Sequence, residues 1–159
     1  MSDDGADDRS DRIALLDAGF AAAIPHNRAL GMKFIDYGPG MAQMLLPYSE
    51  RLIGNPETRV LHGGAISALL DACSGAAVFT KLGLVASIAT LDLRIDYLKP
   101  ATPDRDVVCT ARCYKATKHV AFVRALAYHD DENDPIAAAA GSFMLFEGGR
   151  RVVQSGGSP

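Results

Sequence analysis

The sequence is poor in residue types whose abundance would point to particular classes of protein. It has no tryptophan and only three cysteines in 159 residues, and no uninterrupted run of the roughly 18 apolar residues of a membrane-spanning helix. Cys73, Cys109 and Cys113 have neither metal-type nor redox spacing, so we expect reduced thiols in a cytoplasmic protein. The N-terminus is acidic and has no signal-peptide core. These absences predict no membrane association and no bound metal.

Basic charge is also not in excess. The 16 Lys and Arg are outnumbered by 19 Asp and Glu, which gives a formal net charge of −3. Such a balance argues against a general nucleic-acid-binding protein, although a local basic patch could still bind an anionic ligand. With 48% hydrophobic and 22% charged residues, the chain has the composition of an ordinary globular protein, and its length predicts one domain with a real core.

The predicted domain has a short flanking segment at each end. Residues 1–11 are rich in Asp with Ser and Gly, which predicts disorder. Residues 12–147 form the domain, and residues 148–159 are expected to be a flexible tail. Within the domain, helical spacing of apolar residues predicts a first helix from Ile13 to Ile24 that ends at Pro25.

The remaining pattern predicts a single long helix among strands. Two strands, Leu30 to Tyr37 and Met41 to Pro47, are followed by a loop and by an apolar helix from about Gly63 to Thr80. That helix is apolar nearly all round, which indicates burial. Four strands follow, at residues 87–98, 107–114, 120–128 and 136–146. The fold class is therefore α+β, with a long apolar helix wrapped by a five- to six-stranded, mostly antiparallel sheet.

The strand at residues 87–98 alternates between apolar and polar positions. Its regular period predicts that four apolar residues lie on one side and four polar residues on the other. The apolar set is Leu91, Leu93, Ile95 and Tyr97, and the polar set is Thr90, Asp92, Arg94 and Asp96.

The start of the apolar helix is the first candidate for chemistry. Gly63 and Gly64 precede the apolar run, and Asp71 lies about two turns inside it, on the same side as Gly64. A helix N-terminus offers unpaired N–H groups, and glycines let a ligand carbonyl approach them. Asp71 could serve as general base or nucleophile. The alternative is that the glycines form only a tight turn and that Asp71 is a hydrogen-bonded polar residue of the core.

Two further residues near this turn invite functional roles. His62 could act in catalysis, but two glycines follow it and no Ser-His-Asp arrangement can be assembled around it. We therefore favour a ring that ties the loop backbone together and sets Gly63. Asn55 is either a turn former or an amide that orients the substrate or a water molecule.

Taken together, these segments resemble the hotdog-fold acyl-CoA thioesterases of the phenylacetic-acid-degradation (PaaI-like) type. The resemblance rests on Asn55, the Leu61-His62-Gly63-Gly64 turn, Asp71 nine residues after the His, and the strand that ends Asp96-Tyr97-Leu98-Lys99-Pro100. It covers roughly residues 51–146. In the family the Asn lies six residues before the His. Here it lies seven before, and residues 56–59 are expected to accommodate the extra residue as a bulge.

The resemblance implies a fold, an assembly and a set of roles. In that family two subunits join their sheets edge to edge, the active sites form at the dimer interface, and dimers commonly pair into tetramers. The Gly63 N–H would polarise the thioester carbonyl, with His62 and Gly64 beside it at the substrate. Asp71 of the partner subunit would be base or nucleophile. Thr90 would place that Asp or water, and Asn55 would contact the thioester or the attacking water.

The reasoning from the residues and the resemblance agree on the type of reaction. A thioester is an activated acyl group that needs carbonyl polarisation and a positioned water or carboxylate, and no metal or redox cofactor. The expected substrate is an aryl- or medium-chain acyl-CoA, so CoA enters as part of the substrate. Two alternatives remain. One is a hydratase or dehydratase of the same fold, and the other is a protein that binds acyl-CoA as a sensor without turnover.

Overall fold

The computed structural model describes residues 4–83 and 87–146. Its helical elements are α1 (Asp4–Leu16), a π-helical turn (Asp17–Ala22), α2 (Pro25–Ala29), a 3₁₀ turn (Glu50–Leu52) and α3 (Gly63–Lys81). The long helix α3 occupies the span predicted from the apolar run. It ends as its sequence suggests, since the Leu82 N–H bonds to the Val78 and Phe79 carbonyls and Gly83 follows with φ of +73°.

Six strands form one sheet, and a short hairpin lies apart from it. The strands are β1 (Lys33–Gly38), β2 (Met41–Leu46), β3 (Ile53–Asn55), β4 (Val60–Leu61), β5 (Ser87–Tyr97), β6 (Val107–Ala116), β7 (Val120–Tyr128) and β8 (Ala137–Phe146). The sheet order is β1-β2-β6-β7-β8-β5, and every pair is antiparallel. This is the predicted α+β arrangement of one long helix against a six-stranded antiparallel sheet, and β5 lies at an edge of that sheet.

The sheet packs its inner face against α3, which supplies the centre of the core. Ten residues of α3 are buried, and Leu69, Leu70 and Cys73 have no exposed surface. By length and composition alone α3 could cross a membrane, and it is the only such helix within the part of the chain that the structure describes. Its apolar surface is instead used against the strands, chiefly β2, β6 and β7. Burial of this surface is the main term that holds the helix inside the sheet.

The N-terminal region differs from the sequence expectation. Helix α1 begins at Asp4, within the stretch that composition predicted to be disordered. Two charged residues of that stretch have partners: Asp8 forms an i,i+4 ion pair with Arg12, and Arg9 contacts Asp36 of β1 and lies over the Tyr37 ring. Residues 1–3 and the proposed tail at residues 148–159 lie outside the described residues.

Strand β5 contains an irregularity that the alternating sequence pattern hides. The register with β8 shifts between Thr90 and Asp92, so Leu91 is an extra residue in a β-bulge. Thr90 pairs with Phe143, and the next register pairs place Asp92 opposite Ser142. Thr90 therefore faces α3 together with Leu93, Ile95 and Tyr97, and the prediction that it shares a side with Asp92, Arg94 and Asp96 was wrong. Leu91 is turned outward and is 52% exposed.

Candidate active site

The His62 side chain caps the start of α3. His62 is the N-cap residue in an extended conformation, and its Nδ1 accepts a 2.9 Å hydrogen bond from the Gly64 N–H. A β-carbon at Gly64 would lie 2.9 Å from that same Nδ1, so the cap requires glycine there. The structure thus differs from the expectation that Gly64 offers its N–H to a ligand, because His62 already occupies it.

The His62 backbone is fixed by the hairpin that precedes it. Its N–H donates a 2.7 Å hydrogen bond to the Leu52 carbonyl. A β-carbon at Gly54 would lie 2.8 Å from the His62 α-carbon, so β3 passes His62 at a distance that only glycine allows. These contacts hold the His62 backbone, and the ring accepts from the Gly64 N–H, as a ring that ties the loop together would. Because Nδ1 accepts this hydrogen bond, the ring proton is assigned to Nε2.

The first free N–H of α3 belongs to Gly63. Within residues 4–83 and 87–146, no group accepts a hydrogen bond from it. The carbonyl group of Gly63 is held by two side chains. The Tyr97 hydroxyl donates to it at 2.7 Å, and the Ser67 hydroxyl donates to it at 3.1 Å. The two hydroxyls lie 2.6 Å apart. The Gly63 N–H therefore points from a fixed helix start, as an oxyanion-binding donor requires.

Asp71 lies two turns further along α3 and is half-buried. Its Oδ1 accepts a 2.8 Å hydrogen bond from the Thr90 hydroxyl of β5. The bulge at Leu91 produces this contact, because it turns Thr90 toward the helix. Because Oδ1 is held by Thr90, the second carboxylate oxygen, Oδ2, also has a fixed direction. A general base or nucleophile needs such a fixed direction.

Asp71 and Thr90 line a cleft of about 510 Å³, in which His26 and Asn27 are the other polar residues. The rest of its lining is mostly apolar and comes from three places: the N-terminal segment, one stripe of α3 and the inner face of the sheet. The apolar side chains include Phe20, Ile24, Phe79, Ile88 and Phe143. A carboxylate in a mostly apolar cleft suits a ligand with one reactive polar group and an apolar body.

Gly63 opens into a different cleft of the same chain. Its surroundings are β4, the end of β5 and the segment Leu98–Ala101, in a depression of about 460 Å³. Gly63 and Asp71 lie eight residues apart on the helix, which corresponds to about 12 Å along the axis. A reacting carbonyl must lie within about 3 to 3.5 Å of its attacking group and of its oxyanion donors. Gly63 and Asp71 of one chain cannot both reach the same carbonyl.

Asn55 ends β3 and shapes the turn that follows. Its Oδ1 accepts hydrogen bonds from the Glu57 N–H at 2.9 Å and the Thr58 N–H at 3.3 Å, which is an Asx-type turn. The register irregularity lies between Ile53 and Asn55, and Arg59 closes the turn with φ of +59°. The expected bulge within residues 56–59 therefore falls at Gly54 instead. The turn-forming alternative for Asn55 is present, and its side-chain nitrogen is the group that could meet a ligand.

Three residues at the site escaped the sequence interpretation. Ser67 lies within the predicted apolar helix and has no role of its own in the sequence analysis, and Tyr97 was assigned only to the apolar side of a strand. Both hold Gly63, and the strand ending Asp96-Tyr97-Leu98-Lys99-Pro100 is the signal that marks Tyr97. Phe20 lies in a predicted amphipathic helix, and no pattern in the sequence shows that its ring reaches the cleft beside Asp71.

These features define a hydrolase of activated acyl groups. One helix carries at its start an N–H without an acceptor among the described residues and a positioned carboxylate two turns later, and the fold places a mostly apolar cleft beside the carboxylate. The chemistry that uses such an arrangement is attack on a thioester. The fold and the site together are those of a hotdog thioesterase.

Comparison with known proteins gives the same answer. The Thioesterase superfamily model matches residues 59–136. The chain is 30% identical over 146 residues to YigI of Escherichia coli K12, described as a medium/long-chain acyl-CoA thioesterase, and the match covers 84% of this chain and 93% of that one. The chain belongs to the Thioesterase superfamily and is a thioester hydrolase.

Solved structures show the same fold. A Pseudomonas aeruginosa protein of 43% identity superposes with a TM-score of 0.72, covering 79% of this chain and 93% of the other. A variant of the phenylacetic acid degradation protein PaaI from Thermus thermophilus superposes with a TM-score of 0.67 at 22% identity, covering 77% and 99%. The second likeness is one of fold, and it agrees with the PaaI-like resemblance of the motifs.

Proposed function

We propose that this protein hydrolyses an aryl- or medium-chain acyl-CoA to the free acid and CoA. The observation that carries the proposal is the Asp71–Thr90 hydrogen bond in a mostly apolar cleft, since it joins a positioned carboxylate to a place for an acyl group. The name of the Escherichia coli relative, a medium/long-chain acyl-CoA thioesterase, supports this class of substrate.

In the proposed reaction the Gly63 N–H binds the thioester oxygen. The Asp71 carboxylate takes a proton from water, the resulting hydroxide adds to the carbonyl carbon, and the oxyanion forms against Gly63. Collapse of this intermediate breaks the C–S bond, and CoA leaves as a thiolate that then gains a proton. In the alternative order, Asp71 attacks the carbonyl itself and releases the thiolate, and water then hydrolyses the mixed anhydride. Thr90 keeps Asp71 in place in either order.

The residues around the turn have supporting roles in this proposal. His62 would donate from Nε2 to the bound substrate, while Gly64 leaves room for the cap that fixes His62. Asn55 would use its amide nitrogen toward the thioester or the attacking water. The reaction requires no metal or redox cofactor, because a thioester needs only carbonyl polarisation and a positioned water or carboxylate.

The proposed enzyme is a homodimer with shared sites. About 12 Å along α3 separates Gly63 from Asp71, so the donor and the carboxylate for one substrate would come from two chains. Strand β5, which carries Thr90 and Tyr97, lies at an edge of the sheet, and an edge strand offers unpaired backbone groups to a second copy. Pairing of two such dimers into a homotetramer is expected from the family. We propose a cytoplasmic location, with neither nucleic acid nor membrane as partner.

A panel of acyl-CoAs with a thiol reagent tests this function. We expect CoA release from at least one aryl- or medium-chain acyl-CoA, and a loss of about 10² to 10⁴ in kcat for Asp71→Asn with the fold retained. Tight binding without thiol release across the panel would support the sensor instead. Hydration of crotonyl-CoA without thiol release would support the hydratase. If Asp71→Asn works at the parent rate, the role of Asp71 is wrong.

A further inference from the structure

The cleft beside Asp71 is closed by the N-terminal segment, which is held in place by specific contacts. Asp17 Oδ1 accepts a 2.6 Å hydrogen bond from the Phe34 N–H of β1. The side-chain nitrogen of Asn27, which is only 5% exposed, donates to the Phe20 carbonyl at 3.3 Å. Phe20 itself lies in the π-helical turn and packs edge-on against Phe79, with ring centroids 5.5 Å apart. Its ring is therefore a fixed wall of the cleft.

The ring of Phe20 narrows the cleft at Gly75. A β-carbon on Gly75 would lie 3.5 Å from Ile88 Cδ1 and 3.7 Å from both Phe143 Cε1 and Phe20 Cζ. Three side chains from the N-terminal segment, β5 and β8 thus converge over the one cleft-lining helix position that has no side chain. These are ordinary contact distances for a β-carbon, so there is room for about one methyl group above Gly75. The cleft is therefore narrow at that point.

The distance from Asp71 to this narrowing can be compared with the length of an acyl chain. Gly75 lies one helical turn beyond Asp71, about 6 Å along the axis, and Phe79 lies about 6 Å further. An extended alkyl chain advances by about 1.25 Å per carbon, given C–C bonds of about 1.5 Å and bond angles near 111°. An acyl chain that starts at Asp71 therefore meets the Phe20 ring after about five carbons. Phe79, which lines the same cleft, lies beyond this narrowing by a distance of about four to five more carbons.

We propose that Phe20 is the residue that determines the preference for acyl-chain length, by narrowing the acyl cleft at the level of Gly75. This inference rests on the proposed function, because it assumes that Asp71 acts at the thioester carbon and that the acyl group enters the adjacent cleft. It assigns the apolar cleft to binding of the acyl group and not of the pantetheine arm of CoA. Chains longer than the distance to Phe20 must pass through the narrowing beside an anchored ring, whereas shorter chains do not reach it.

Two substitutions at the narrowing test this proposal in opposite directions. With straight-chain acyl-CoAs from four to fourteen carbons, Phe20→Ala is expected to raise the ratio of kcat/KM for long over short chains by about tenfold or more. Gly75→Ala adds a methyl group where the cleft is narrowest, and it is expected to lower the same ratio. Alanine is the better helix former of the two and fits the contact distances, so this variant should fold.

Leu16→Ala is the matched control. Leu16 packs against the core from the same N-terminal region but does not line the cleft, so its loss should weaken that region without changing the ratio. If Phe20→Ala does not fold, Phe20→Leu replaces it with a smaller shift of the same sign.

The possible outcomes distinguish a failure of this proposal from a failure of the proposed thioesterase function. If the parent protein hydrolyses acyl-CoAs but both cleft variants change all chain lengths by the same factor, Phe20 does not set the length and the cleft does not hold the acyl group. If the Leu16 control shifts the ratio as much as Phe20→Ala, the effect comes from loosening the segment, and the proposal is overturned. If the parent hydrolyses no acyl-CoA, the proposed function itself fails.

Discussion

Gly63 and Asp71 lie on the same helix, eight residues apart, and line two different clefts of the chain. The first offers an N–H without an acceptor among the described residues, and the second offers a carboxylate held by Thr90. One thioester carbonyl can use both only if they come from two copies of the helix. The helix α3 therefore has two functional ends, which serve two different sites.

Removal of the Gly63 N–H tests the first of these ends. Gly63→Pro deletes the hydrogen-bond donor at the first helical position, where proline is tolerated. His62 has φ of −63° and ψ of 132°, a conformation that a following proline allows. We expect kcat to fall by about 10² to 10³, the usual effect of losing one oxyanion-hole donor.

Gly63→Ala is the control for this substitution. It adds a β-carbon 3.3 Å from Tyr97 Oη but keeps the N–H. Both variants therefore introduce steric crowding, and only the proline variant loses the hydrogen-bond donor. Steady-state kinetics should therefore show the alanine variant well above the proline variant. Equal rates in the two variants would mean that the Gly63 N–H does not bind the oxyanion.

Thr90 offers a test of how Asp71 is positioned. Thr90→Val removes the hydroxyl that donates to Asp71 Oδ1 while keeping the shape of the side chain. We expect a fall in kcat of roughly tenfold or more with little change in KM, since hydrogen bonds to charged groups contribute about 1.5 to 3 kcal/mol. Thr90→Ser should retain most of the rate. Equal kcat values for the valine and serine variants would mean that the Thr90 hydroxyl does not position Asp71.

The buried thiols predict how stability depends on pH. Burial raises the pKa of Cys109, and burial is also the main reason that the pKa of Cys113 is raised. The folded state then keeps thiol protons that the unfolded chain loses above about pH 8.5, so this contribution to stability is complete below that pH and declines as pH rises further. The urea midpoint of the parent should fall between pH 8 and pH 10, and that of Cys109→Ala should fall less.

The same burial should protect the thiols from reagents. At pH 8 the folded protein should react much more slowly than the denatured protein, which exposes all three cysteines. Parallel pH curves for the parent and Cys109→Ala, or equal labelling rates for folded and denatured protein, would contradict this part of the account. Slow labelling also gives the thiol-release assay a low background.

The long helix and most of the strands could be predicted because their signals are local. The apolar run sets α3 within one residue, and Lys81 and Gly83 mark its end. The segment from Arg51 to Val60 was interpreted as a loop, whereas β3 and β4 form a two-stranded hairpin there. Gly54, Asn55 and Pro56 signal a turn correctly, but strands of three and two residues carry too few side chains to show a period.

The bulge in β5 could not be predicted because it is invisible to a period-two pattern. The sequence alternates without interruption through Thr90, Leu91 and Asp92, and only the pairing with β8 shows that Leu91 is the extra residue. One shifted residue changes which side chains face the helix. The sequence therefore predicted Thr90 as a site residue through its family resemblance while placing it on the wrong side of the strand.

The cap on α3 shows a different limit of sequence reasoning. The glycines of the turn predict close approach and open N–H groups, and Gly63 fits that expectation. At Gly64 the approaching group is the protein's own His62 ring, 2.9 Å from the N–H. Glycine spacing identifies where backbone can be approached, but it does not say whether a ligand or a neighbouring side chain approaches it.

The central claim is that one active site takes Gly63 from one chain and Asp71 from another, and hybrid dimers test it most directly. Gly63→Pro and Asp71→Asn, carried on differently tagged chains, should each be nearly inactive alone. In a doubly tagged hybrid, one site contains both substitutions and the other contains neither. The account predicts thioesterase activity of about half the parent value per dimer, as two-fold symmetry requires. Activity no higher than that of the two separate variants would contradict it.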